Sequence, residues 1–235
     1  MMLAQPTKLF TDLYLWHDTQ PRTGAENMAI DQMLMQSDLN YPVLRVYQWS
    51  EPTISFGYFM TWAKVQALFR TEDVKYVRRW SGGGVVDHRI DVTYTLTVPR
   101  GEIIAKSRGA ESYRLIHHAL ANVLRVLGET VLLGDAGAGD GGEVCFMNPV
   151  EYDLTNLDGD KVAGAGQRRS RYGLLHQGSV IPEMGPVLFR DKMPALLADE
   201  LAKKYSNFQP DDNLFSQMQE LANVRYASDE WLMKS

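Results

Sequence analysis

Arg78-Arg79-Trp80-Ser81-Gly82-Gly83-Gly84-Val85-Val86-Asp87-His88 holds the densest set of residue types suited to chemistry in this chain. Consecutive glycines leave the backbone bare, so N–H groups can approach a ligand closely and φ can turn positive. The two arginines before them supply fixed charge and forked donors that suit a carboxylate, phosphate or carbonyl oxygen. The flanks Val74 to Val77 and Val85 to Val86 are β-prone, so the glycines interrupt or join strands, where a ligand often meets backbone. The expectation is the floor of a binding site.

Three further places compete for a chemical role. Lys161, in Gly159-Asp160-Lys161-Val162-Ala163-Gly164-Ala165-Gly166-Gln167, reads by itself as an exposed turn lysine after an Asp-Gly hairpin. The alternative is an ammonium aimed at an oxygen where negative charge develops. Cys145 is the single cysteine. It is either a small buried hydrophobe or a nucleophile whose thiolate needs a nearby cation, for which Lys161 on an adjacent strand is the candidate. His176, in Leu175-His176-Gln177-Gly178-Ser179, fits a satisfied structural histidine and a ligand contact equally. Arg168, Arg169 and Arg171 read as a solvated face or as a patch receiving an acidic partner or a phosphopantetheine phosphate. His117 and His118 lack a second ligand at i+4, so core packing and a solvated face are expected of them, and no metal site.

The elements that must position these residues follow from local pattern. A strand is expected around Leu9 to Leu15. Thr23 can cap a helix reaching about Gln36, with Ile30, Met33 and Leu34 at core-facing spacing. Strands are read at Tyr41 to Trp49, Thr53 to Tyr58, Val74 to Arg78 and Val92 to Val98, with a short helix at Trp62 to Phe69. Ser112 to Leu127 is the clearest helix, stopped by Gly128. Gly134 to Gly142 lacks the ending of a phosphate-binding P-loop and reads as a surface loop. Strands at Val150 to Asn156 and Lys161 to Ala165 are joined by the turn Leu157-Asp158-Gly159-Asp160, and another runs from Leu174 to Ile181. Helices are expected at Pro186 to Lys204, interrupted near Pro194, and at Asn213 to Tyr226. The plan is α+β, a mixed or antiparallel sheet core flanked by helices, in one domain over 1–235 with no C-terminal accessory domain.

Bulk properties narrow the class. The chain has 235 residues, 45% hydrophobic and 23% charged, with a net charge of −5, which argues against a broad basic surface for nucleic acid. No apolar run approaches the ~18 residues of a membrane span, and Met1 to Phe10 lack a signal-peptide core. One cysteine excludes an intramolecular disulfide framework. A soluble cytoplasmic protein is expected.

Together these segments resemble the catalytic domain shared by lipoate–protein ligases, octanoyl transferases and biotin–protein ligases. Arg78 to His88 matches the signature Arg-Arg-x-Ser/Thr-Gly-Gly-Gly/Arg-x-Val-x-His, Lys161 to Gln167 the later lysine segment, and Leu175 to Ser179 the following His/Gln-Gly element. The resemblance spans about Leu13 to Trp231, with the motifs in order. The Gly-Arg-Gly-Arg pattern of the biotin ligases is absent. Transfer of an octanoyl or lipoyl group to a lysine of a lipoyl carrier domain is implied, with glycine cleavage H protein or 2-oxoacid dehydrogenase E2 type domains as acceptors.

Two chemistries are implied. Ligases make lipoyl-adenylate with ATP and Mg²⁺; cysteine-dependent transferases take octanoyl from acyl carrier protein as an enzyme thioester and need no cofactor. Cys145-Phe146-x-x-Pro149-x-x-Tyr152-Asp153-Leu154 and Asp91-Val92-Thr93-Tyr94-Thr95 resemble the transferases. The complete Gly82-Gly83-Gly84 and Asp153 are closer to the ligases. The transferase resemblance implies Cys145 as nucleophile and Lys161 as oxyanion donor. It also implies Arg79 and His88 at the head group, with Ser81, Gly82, Gly83, Gly84, Gly164, His176 and Gly178 completing the substrate site.

Overall fold

The computed structural model describes residues 8–69, 71–134 and 151–234. Cys145, most of the glycine-rich loop and the start of the expected strand at Val150 lie outside the described residues.

In chain order, β1 (Phe10–Arg22) leads into α1 (Gly24–Gln36), and β2 (Val43–Trp49) and β3 (Thr53–Phe56) precede α2 (Trp62–Leu68). Then come β4 (Lys75–Arg78), β5 (Val85–Asp87), β6 (Val92–Pro99), α3 (Ile103–Lys106), α4 (Gly109–Val126), β7 (Leu132–Leu133) and β8 (Leu154–Thr155). The chain continues through β9 (Lys161–Ser170), β10 (Gly173–Val180), α5 (Pro186–Leu201), β11 (Ala202–Asn207), α6 (Asp212–Leu221) and α7 (Asp229–Leu232).

Two sheets result. The larger has eight strands in the order β11-β1-β2-β6-β10-β9-β8-β7, and the smaller has three, β4-β3-β5. Among the described residues, only the pairings of β1 with β2 and β11 are parallel in the larger sheet, and β3 pairs parallel with β4 and antiparallel with β5. The architecture is the expected mixed sheet with flanking helices. Ile116, Leu120 and Leu124 of α4 and Phe189, Met193 and Leu197 of α5 share a core with Leu96 and Val98 of β6. The other face meets α1, where Ile30 and Leu34 pack with Trp16, Val43 and Met218. No described helix is long and apolar enough to cross a membrane.

Thr23 caps α1 as its sequence requires, its side chain accepting from Glu26 N–H while Glu26 returns to the Thr23 N–H, a reciprocal capping box. Gly128 ends the fourth helix with φ of 99°, where only glycine is unstrained.

Three element expectations need correction. The helix from Pro186 stops at Leu201, and Ala202–Asn207 form an edge strand beside β1. Lys203 and Lys204 are exposed there, and such short lysine-bearing edges discourage pairing with other chains while resembling a polar helix end in sequence. Pro194 does not interrupt α5, because its burial with Phe189, Met193 and Leu197 outweighs the one lost backbone bond. Near the C-terminus, α6 gives way to a π-helical turn, Ala222–Tyr226, so the single expected helix is divided.

A buried ion pair ties α1 to the large sheet. Arg45, in the middle of apolar β2, has a guanidinium with no solvent exposure, bonded to Asp18 at 2.7 Å and Asp31 at 2.9 Å. It also donates to Asn27 Oδ1 at 2.7 Å. Removing one partner from a buried pair leaves an uncompensated charge and costs about 3–5 kcal/mol. Asp31→Ala is therefore expected to lose about that much stability in chemical denaturation, whereas Arg89→Ala, which breaks an exposed pair with Asp87, should unfold at the wild-type midpoint.

Candidate active site

The two sheets meet along a seam of bare backbone. Between β4 and β5 the chain folds back on Gly57, with Gly57 N–H donating to Gly84 O at 3.2 Å and Tyr58 N–H to Ser81 O at 2.9 Å. A Cβ on Gly57 would lie 1.9 Å from Gly83 O, and one on Gly166 of β9 would lie 2.3 Å from Gly82 O. Gly82 N–H donates to Gln167 O at 3.3 Å. Gly83 has φ of 96°. The triple glycine thus serves contact between the sheets, and the Gly82 N–H expected to face a ligand is occupied by protein backbone.

The glycine carbonyls hold Arg79 instead. Its Nη2 donates to Gly82 O at 3.2 Å and Gly84 O at 2.9 Å, and its Nη1 to Ser55 Oγ at 2.7 Å. Arg78 departs from expectation: its buried guanidinium donates to Tyr58 O and Met60 O at 2.9 and 2.6 Å, and to Trp231 O and Lys234 O at 2.9 and 2.6 Å. That arginine clamps the C-terminal helix to the small sheet.

Beside the seam lies a cavity lined on one side by β9 and β10, through Lys161, Gly164, Gly166, Gln177, Gly178 and Ser179, and on the other by Trp49, Ser55, Arg79 and His88. Met28, Val86 and Ala165 add apolar wall. Lys161 is not an exposed turn residue. Its side chain is 3% exposed, and its Nζ lies 2.7 Å from Asp153 Oδ2. Tyr113 OH donates to Asp153 Oδ1 at 2.5 Å and accepts from Ala165 N–H at 2.8 Å, so both carboxylate oxygens are engaged. Burial and the Asp153 charge raise the Tyr113 pKa well above the usual phenol range, keeping its proton available to Asp153. The Lys161 stem folds over Gly164, where an added Cβ would lie 2.2 Å from Cε and 2.5 Å from Nζ. Gly178 leaves room for Tyr94 in the same way, with 2.2 Å to the ring.

Of the remaining expected site residues, His88 and Arg79 reach the cavity, while Ser81 stands behind its wall. Ser81 Oγ donates to Gln177 Oε1 at 2.6 Å, and Gln177 Nε2 donates to Asp31 Oδ2 at 2.8 Å. His176 lies on the opposite face of β10 from Gln177 and does not line the cavity. It hydrogen-bonds Tyr94 OH and Gln167 Nε2, each at 3.0 Å, and sits against Tyr113 and His117. These contacts are all within the protein. Arg168 stacks over Trp80 and Tyr58 and donates to Trp80 O, and Arg169 donates to Ala105 O and Ser112 Oγ, so two of the three clustered arginines are spent internally. Cys145 lies outside the described residues.

Sequence reading missed Ser55 and Gln177. His88 Nε2 is 2.6 Å from Ser55 Oγ, and its Nδ1 is 2.7 Å from Asp91 Oδ2. Trp49 stacks on the imidazole at 4.0 Å. Asp91 three residues after His88 was a readable signal; Ser55, inside an ordinary β-prone run, carried none.

Residues 23–223 match the family of lipoyl protein ligase A/B catalytic domains. This chain belongs to that family. It is 36% identical over 168 residues to an octanoyltransferase LipM from Carboxydothermus hydrogenoformans, a match covering 69% of this chain and 62% of that protein. An octanoyltransferase LipM from Brevibacillus brevis is 27% identical, with 92% of this chain and 97% of that protein covered. The chain thus spans less than two thirds of the Carboxydothermus relative. Among solved structures, a putative lipoate protein ligase from T. acidophilum with bound lipoic acid superposes with a TM-score of 0.75 at 19% identity, covering 96% of this chain and all, 100%, of that one. A lipoate-protein ligase A bound with ATP gives 0.72 at 18%, covering 95% and 98%. These likenesses establish the fold.

Burial lowers the His117 pKa to about 4 and holds His176 well below its usual range. Above about 6.5, the unfolded value for histidine, both states are neutral and this contribution to stability is complete. As pH falls from there towards 4, the unfolded chain binds protons that the folded protein refuses, so stability is lost. His117→Phe should shrink the drop in denaturation midpoint between pH 7 and pH 4.5 relative to wild type.

Proposed function

We propose that this protein transfers an octanoyl group from the thioester of acyl carrier protein to one lysine of a lipoyl carrier domain, of glycine cleavage H protein or 2-oxoacid dehydrogenase E2 type, through a thioester on Cys145. The observation that carries this reading is Lys161, a buried ammonium held by Asp153 in the wall of a largely apolar cavity. The octanoyltransferases among its relatives support the choice of acyl group. It is a cytoplasmic reaction that needs no cofactor.

Two half-reactions follow. Cys145, as thiolate, attacks the thioester carbonyl, and the carrier's sulfur leaves with the bonding pair. Negative charge collects on the carbonyl oxygen in between, and the Lys161 ammonium donates to it; a fixed donor of this kind in a water-poor site lowers the barrier by several kcal/mol. The Asp153 carboxylate, 2.7 Å from Nζ, aims the Lys161 side chain. The acyl tail lies along Met28, Trp49 and Val86, and Arg79 and His88 hold the head group. Gly164 admits the Lys161 stem and Gly178 the Tyr94 ring, while the carbonyls of Gly82 and Gly84 set the position of Arg79. The carrier-domain amine then attacks the Cys145 thioester, forming the amide and releasing the thiolate.

Incubation with octanoyl-acyl carrier protein should give a single octanoyl adduct by intact mass, absent in Cys145→Ala. A Cys145→Ala protein with full transfer activity would exclude the acyl-enzyme. Lys161→Ala is expected to lower turnover about 10²- to 10³-fold, the usual cost of removing an oxyanion donor, and Asp153→Asn should lose part of the same factor.

A further inference from the structure

Along the cavity wall runs a chain of polar groups to which the two half-reactions assign no proton transfer. Asp91 Oδ2 accepts from Thr93 Oγ1 at 3.0 Å, from Ser179 Oγ, and from His88 Nδ1 at 2.7 Å. An oxygen that takes two hydroxyl donors suits a third from the ring, which places a hydrogen on Nδ1. At the other end Arg79, which can only donate, gives a hydrogen to Ser55 Oγ at 2.7 Å. The Ser55 hydroxyl must then direct its own hydrogen elsewhere, and His88 Nε2 lies 2.6 Å away. The network suits the arrangement in which Nδ1 donates to Asp91 and Nε2 accepts from Ser55. Trp49 lies nearly flat on the ring, 4.0 Å away and tilted 20°, a placement that favours an imidazolium once formed. Asp91, Ser55 and His88 are all buried, and Ser55 and His88 line the cavity that Lys161 lines.

We infer that Ser55, His88 and Asp91 form the relay that removes the proton from the attacking carrier-domain amine. The inference rests on the acyl-transfer reading above. The amine nitrogen bonds to the acyl carbon as the C–S bond breaks and its electron pair leaves with the Cys145 sulfur. The nitrogen gives one proton to Ser55 Oγ while the Ser55 hydrogen passes to His88 Nε2. Asp91 stays ionised and balances the imidazolium, which later releases its proton to water. This is the Asp-His-Ser order of a serine hydrolase, with the serine as proton carrier and the nucleophile supplied by the substrate.

The charged groups around His88 come from each side. Asp91 lies on its own loop, Arg79 acts through Ser55, and the Asp87–Arg89 pair is adjacent. Arg190 of α5 donates to Asp91 O at 3.0 Å, and Lys161 with Asp153 stands across the cavity.

The test separates the two half-reactions by rapid mixing. Acylation is followed by intact mass, and aminolysis of isolated acyl-enzyme by amide formation on a lipoyl domain, across pH. In Ser55→Ala and His88→Gln, aminolysis should fall about 100-fold further than acylation, a usual general-base contribution, and its acidic limb should vanish. Equal slowing of both steps with an unchanged pH profile would overturn the relay, as would wild-type aminolysis in either variant. A wild-type protein that never acylates would overturn the acyl-enzyme reading instead. The same variants would then be assayed for amide formation from octanoate, ATP and Mg²⁺. Attack by the same amine needs the same acceptor there, so a wild-type rate and pH profile in both would again overturn the relay.

Discussion

Arg45 places a guanidinium inside the large sheet, and the position of the glycine loop beside the site traces back to how that charge is met. Asp18 and Asp31 neutralise it, and Asp31 then has one oxygen left. That oxygen accepts from Thr95 Oγ1 at 2.6 Å and from Gln177 Nε2 at 2.8 Å, which turns the Gln177 carbonyl towards Ser81. An ion pair between α1 and β2 thus sets the rotamer of a residue on β10 and, through it, the loop that carries Arg79. Buried polar networks of this kind are costly when incomplete and specify one arrangement when complete. The site is built on the complete one.

The large sheet separates two kinds of environment. On the α4 side, Tyr94, Tyr113, His117 and His176 form a closed cluster whose histidines burial keeps neutral. On the cavity side, Lys161, Arg79 and His88 are fixed by carboxylates, carbonyls and a hydroxyl. Both kinds are needed. Tyr113 reaches from the closed cluster to orient Asp153, and Asp153 orients Lys161. Glycines let the layers approach: Gly57 and Gly166 admit the loop, and Gly164 admits the lysine stem.

Much of this was legible in the chain. The capped first helix, the helix ending at Gly128, and the strand order around the glycine stretch follow from local pattern, and the three ordered motifs identify the family. Other features were hidden for physical reasons. Ala202–Asn207 is a polar edge whose lysines mask its strand character, and Pro194 is carried by tertiary burial that local rules do not see. The glycine triplet signalled close approach correctly, but sequence could not say that the partner would be the protein's own backbone. His176 and Gln177 are neighbours, so they face opposite sides of β10; which one reaches the cavity depends on sheet packing. Arg45 within Val43-Leu44-Arg45-Val46-Tyr47 was visible as a charge in an apolar strand, and its partners were not.

In the proposed reaction the acyl group reaches the carrier domain from a thioester, with no nucleotide consumed. The most direct measurement is the mass of a lipoyl domain after incubation with this protein and octanoyl-acyl carrier protein in nucleotide-depleted, metal-chelated buffer. One octanoyl group on one lysine is expected. An unmodified domain there, together with full modification from free octanoate or lipoate once ATP and Mg²⁺ are added, would contradict it.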